Sequence, residues 1–132
     1  MKVTPIQPPR SFGVGTRGGT LDHVADVRLD PDEVVTFRTD SETEFDVTRK
    51  SWGYYATPSL NGRLREHGLR AALAVGVPRA AGEPERMYLL LVEAGREADF
   101  QTYIDAEHMR VVGWLDTDAA IADTAQRLGD RT

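Results

Sequence analysis

Between residues 21 and 56 the hydrophobic pattern repeats every second residue, and the repeats are cut by turns of only two to four residues. Leu21, His23, Ala25, Val27 and Leu29 share one face of an extended chain, while Asp22, Asp26 and Arg28 take the other. LDPDE at 29–33 supplies a turn, with Pro31 fixing φ at its first central position. The β-branched run EVVTFRT follows at 33–39. DSE at 40–42 turns the chain, and TEFDVTR at 43–49 alternates again, with Phe45 and Val47 inward. SWGYYA at 51–56 reads as a fourth strand, in which Trp52 and Tyr54 share a face opposite Tyr55 and two of the three aromatics serve the core. Parallel neighbours need crossovers of about a dozen residues or more, so connections this short imply an antiparallel meander.

The pattern changes at Thr57. Thr57 suits an N-cap and Pro58 the first helical position, where a missing N–H costs nothing. Leu60, Leu64 and His67 recur at helical spacing and Gly68 can close the turn, which predicts a helix over 58–67 with His67 near its terminal carbonyls. LRAALAVGV at 69–77 reads as a strand, 78–85 as a loop, and the apolar RMYLLLVE at 86–93 as a strand central in a sheet. A helix is expected over 96–107 with Phe100, Tyr103 and Ile104 inward, then a strand over 110–116 and a terminal helix over 117–130. Residues 1–20 hold Pro5, Pro8, Pro9 and four glycines, and read as an irregular arm and flexible loop. The whole implies one α+β domain over 1–132. An N-terminal antiparallel β meander leads into α-β-β-α-β-α, with helices packed on a mostly antiparallel sheet.

Several chemistries are excluded or disfavoured. The chain has no cysteine, so disulfides, thiolate nucleophiles and cysteine-containing zinc sites are out. His23, His67 and His108 lack metal-ligand spacing, and no metal or cofactor is expected. GVGTRG at 13–18 has the letters of a dinucleotide fingerprint. A proline-rich arm precedes it and an alternating strand follows, whereas the fingerprint needs a strand before and a helix after. Ser59 and His67 would stand about 12 Å apart along a helix, too far for proton transfer. The acid pairs Asp30/Asp32, Glu42/Glu44 and Glu83/Glu85 fall in turns or on solvent faces, and no catalytic residue can be named, so enzyme activity stays open. No apolar run is long enough to span a membrane and the N-terminus has no signal-like core, which makes a cytoplasmic location the expectation. A pI near 5.2 disfavours duplex nucleic acid as a partner.

One stretch departs from the acidic background. Residues 49–70 hold Arg49, Lys50, Arg63, Arg65 and Arg70 against Glu66, a balance of +4; the whole chain is −5, which leaves −9 elsewhere. At the start of the expected helix, Thr57, Ser59 and Asn61 would add side-chain donors to free backbone N–H groups. Arg63 and Arg65 would add charge, and Trp52 or Tyr55 would stack on a ring. Such a set suits a small anionic ligand, a sugar phosphate or nucleotide; the same residues also suit a capped, solvated helix.

The run SWGYYATPSLNGRLREHGLRAALA, with MYLLLVE and VVGWLD downstream, resembles a group of small bacterial proteins sharing a W-G-x-Y-x-T-P-S-x-N-x-R-L core. The resemblance covers about residues 24–116 and falls on Trp52, Gly53, Tyr55, Thr57, Pro58, Ser59, Asn61, Arg63 and Leu64. It implies no catalytic residues, and a setting in sugar or secondary-metabolite pathways. The first expectation is therefore a binding or accessory protein for a small anion. The second is a homo-oligomeric interaction subunit, a homodimer for example, meeting an acidic protein partner through the same patch. An enzyme of unknown reaction comes third.

Overall fold

A computed structural model describes residues 1–15, 18–78 and 80–130. In chain order the elements are β1 (Lys2–Val14), β2 (Gly19–Arg28), β3 (Val34–Arg38), β4 (Glu44–Lys50), β5 (Gly53–Tyr55), α1 (Arg63–Glu66), β6 (Leu69–Gly76), β7 (Arg86–Glu93), α2 (Glu97–Ala106), β8 (Met109–Trp114) and α3 (Asp118–Gly129). The fold is α+β with antiparallel pairing throughout, in three separate sheets ordered β1-β2, β3-β4-β5 and β7-β6-β8.

The N-terminal segment is a strand and not an irregular arm. β1 pairs with β2 from Lys2↔Arg28 to Val14↔Gly19, with a break in register between Pro5 and Arg10. That break gathers Ile6–Pro9 opposite Val24, and a bulge at the edge of a two-stranded ribbon is where missing backbone donors are tolerated. Thr16 and Arg17 of the GVGTRG run lie outside the described residues, while Gly13 and Val14 belong to β1. Since β2 pairs with β1, the expected four-strand meander shrinks to β3-β4-β5.

The third sheet carries the core. β6 lies in its centre and RMYLLLVE (β7) at its edge, the reverse of the expectation for that apolar run. The small side chains Ala71, Ala72 and Ala74 are fully buried and let neighbours approach both faces of β6. On the face of Leu69, Ala71 and Leu91 sit Leu64 of α1, Leu60, Phe45 of β4 and Leu115. On the opposite face, shared by Ala72 and Trp114, α2 brings Ile104 to full burial and Phe100 edge-on to Trp114 at 5.7 Å. Tyr103, expected inward, is exposed. Gly68 takes φ +86° to pass from α1 into β6, and a Cβ there would stand 3.0 Å from the Thr43 methyl. α3 begins as expected, with Thr117 Oγ1 accepting from the N–H of Ala120.

Candidate functional site

The helix expected at 58–67 shortens to the single turn of α1, because Ser59 organises the segment before it. The Ser59 carbonyl accepts from the N–H of Gly62 (3.3 Å) and Leu64 (3.1 Å), and its hydroxyl accepts from the N–H of Arg63 at 3.1 Å. A Cβ on Gly62 would stand 2.5 Å from the Ser59 hydroxyl oxygen, so glycine is what lets this turn close. Thr57 caps nothing; its hydroxyl donates to the carbonyl of Pro58 at 2.7 Å. The ring of free N–H groups on Ser59, Leu60 and Asn61 that would cradle an anion is therefore not formed.

The side chains of that set go separate ways. Asn61 donates to Asp118 at 3.0 Å. Arg63 is held by acids of β4: its Nε donates to Asp46 at 2.6 Å and its Nη2 to Glu44 at 3.5 Å. Its Nη1 lies 3.1 Å from His67, whose Nδ1 faces Glu44 at 3.4 Å rather than any helix carbonyl. Asp46 also accepts from Thr36 at 2.6 Å, and the bonds from Arg63 and then Thr36 hold its carboxyl below the usual range. Arg63 thus serves the junction of α1 with the β3-β4-β5 sheet.

The aromatics do not enter the core. Trp52 lies in the β4–β5 turn and is 70% exposed, and Tyr54 and Tyr55 are exposed as well. β5 is only three residues long and ends its sheet, so neither face finds cover; Arg49 lies over the Tyr54 ring at 5.9 Å.

Arg65 stands apart. Among the described residues its guanidinium makes no hydrogen bond or ion pair, and it lines a cavity of about 350 Å³ with Leu69, Arg70, Ala94, Asp116 and Thr117. Arg70 occupies the wall of this cavity as the hub of a network that sequence reasoning missed. Its Nε donates to Asp116 at 3.0 Å, its Nη1 to Glu97 at 3.3 Å, and its guanidinium stacks over Trp114 at 4.1 Å. Asp116 is only 3% exposed. The bond to Asp116 leads the causes that raise the Arg70 pKa, while backbone bonds and Arg70 hold Glu97 below the carboxylate range. The available signal was one arginine inside the otherwise apolar strand LRAALAVG, facing an acid just after β8.

A second hollow of about 220 Å³ is lined mainly by Phe37, Phe45, Leu69 and Leu91 with Thr39 and Thr43. The two threonine hydroxyls donate to Glu93, which lowers its pKa. Among the described residues no cluster of three side chains is placed to hold a metal ion, and no helix is long and apolar enough to cross a membrane. No protein-family model, no curated protein and no solved structure matches this chain.

Proposed function

We propose that this chain is a protein-association subunit, which works by seating uncovered apolar faces on another polypeptide. Area carries the reading. A compact chain of 14.6 kDa exposes about 6,900 Å² by the scaling of folded monomers. This one exposes 9494 Å². The excess, about 2,600 Å² per chain and so about 5,200 Å² for a pair, stands at the top of the range for obligate interfaces, where about 2,000–5,000 Å² or more is buried in total. Phe12, Leu21, Phe37, Trp52, Met87 and Leu89 are among the large apolar side chains left in water. X-ray scattering of the purified chain with an apolar dye tests this. The expected result is either an assembly or a dye-binding monomer with a radius of gyration well above the roughly 14 Å of a compact chain of this length. A compact monomer that binds no dye would refute it.

A second reading, recognition of a small anion, is favoured by Arg65, which lines the larger of the two cavities and whose guanidinium has no partner among the described residues. It predicts a thermal shift with inorganic or sugar phosphate that Arg65→Ala abolishes and Arg63→Ala leaves intact. Absence of any shift at millimolar phosphate removes it.

A further inference from the structure

The wall of the larger cavity carries a spare cation and a spare acceptor. Arg65 and Arg70 bring two guanidinium groups to the lining and Asp116 brings one carboxylate, a net charge of +1. Arg70 is already committed. It donates to Asp116 at 3.0 and 3.5 Å and to Glu97, which stands outside the lining, at 3.3 Å. The Arg70–Asp116 pair sums to zero, so the net charge of the lining is that of Arg65, whose guanidinium has no partner among the described residues. The turn that bears it is fixed from both sides. Leu64 is fully buried, and Arg63 is bonded to Asp46 at 2.6 Å. The Arg65 backbone is therefore in place before a ligand arrives, which lowers the cost of binding one.

Asp116 supplies the opposite polarity. A carboxylate has about four acceptor positions. Arg70 fills one at 3.0 Å and reaches the second oxygen only at 3.5 Å, the outer limit of a hydrogen bond. Accepting capacity is left over on a group that is 3% exposed, where water serves it poorly. Next in sequence, Thr117 Oγ1 already accepts from the N–H of Ala120 at 3.1 Å, so its own O–H is left to donate. Leu69 and Ala94 make the remainder of the lining apolar. At about 350 Å³ the cavity sits at the small end of the roughly 300–1,000 Å³ typical of ligand sites. No lining side chain is aromatic, so a nucleotide finds no ring on which to stack its base. Resting on the small-anion reading given second above, we infer that this cavity takes a small hydroxylated anion. Arg65 holds the phosphate or carboxylate, and a hydroxyl of the same molecule donates to the Asp116 carboxylate and accepts from Thr117. An anion without a hydroxyl meets Asp116 as a like charge with no proton between them. The hydroxyl therefore sets the specificity, because a site built to accept a hydrogen bond rejects an analogue that lacks the donor.

The test is calorimetric titration of the full-length chain, at one protein concentration, with two matched pairs of probes. Glycerol 3-phosphate is set against propyl phosphate, and glycerate against propionate; the second member of each pair keeps the anion and loses the hydroxyls. The hydroxylated member is expected to bind at least about tenfold more tightly, the worth of one hydrogen bond to a charged acceptor. The pair that binds more tightly names the anion as phosphate or carboxylate. Arg65→Ala should abolish binding without moving the melting temperature of the ligand-free chain, since Arg65 has no partner to lose. Asp116→Asn, which removes the charge and keeps the shape, should narrow the gap within the pair. The wild-type comparison decides the point even where that variant folds poorly. Equal affinity within both pairs overturns the hydroxyl contact and leaves the anion reading standing. Binding that survives Arg65→Ala lies elsewhere and overturns the cavity as the site. Silence with all four probes at millimolar concentration overturns the inference and the anion reading together.

Discussion

Removing one side or the other of the Arg70–Asp116 pair should have unequal costs. Asp116→Ala deletes a carboxylate that accepts from Arg70 at 3.0 and 3.5 Å. The arginine left behind is not stranded: its side chain is 28% exposed, Glu97 remains at 3.3 Å and the Trp114 ring at 4.1 Å. The loss is then about that of one charged hydrogen bond, roughly 2 kcal/mol. Unfolding entropy of about 2.1 cal/mol/K per residue makes that about 7 °C in Tm for a chain of this length. Arg70→Met does the opposite and leaves a carboxylate at 3% exposure with its cation gone, the situation in which roughly 3–5 kcal/mol is lost. The double variant Arg70→Met/Asp116→Leu removes both charges and should be less destabilised than Arg70→Met alone. Urea titration of the four proteins at pH 7 and one fixed protein concentration, followed through Trp114 in a Trp52→Phe background, measures all four values. Equal costs for the two single substitutions, or strict additivity in the double variant, would refute the electrostatic asymmetry argued here.

Leu64→Ala should cost about 3–4 kcal/mol in the same titration, because Leu64 is fully buried at the contact of α1, β4 and β6. Gly68→Ala should destabilise by about 1–2 kcal/mol or more, since φ +86° strains any L side chain and the new Cβ would meet Thr43. Asp46 has a pKa held below its ordinary value by Arg63 and Thr36. The unfolded chain therefore binds the proton first, and stability falls as pH is lowered through about 4 and below. Asp46→Asn should flatten that acid limb in a series of thermal melts, and an unchanged limb would count against the Arg63 bond as its cause.

How much of this was legible in the sequence depended on whether the deciding interaction was local. The alternation of Leu21, His23, Ala25 and Val27 against Asp22 and Asp26 placed β2 and set which of its residues share a face. Period alone says that a face wants cover, without saying which chain covers it. β1 was hidden because prolines argue against strands unless they fall at a bulge or an edge, and that depends on the partner's register. Thr57-Pro58 carried a helix-start signal, yet the carbonyl and hydroxyl of Ser59 captured the donors that a helix would have used. Arg63 and Arg65 stood equal in the charge count, but the side of α1 decided their fates: one meets Asp46, the other a cavity. Arg70 and Asp116, 46 residues apart, meet only through the fold of the third sheet.

The division of the strands into three unconnected ladders sets how the molecule comes apart. Among the described residues the three ladders share no strand, although Phe45 of β4 packs with Leu64 and Leu69 in one core, so the β1-β2 ribbon can open before the two sheets that share that core. Amides of β6, paired on both sides and mostly buried, should exchange with deuterium last. Those of β1 and β2 should exchange early in the free chain and slow when a partner covers them, which makes the ribbon's protection a residue-resolved gauge of what it meets.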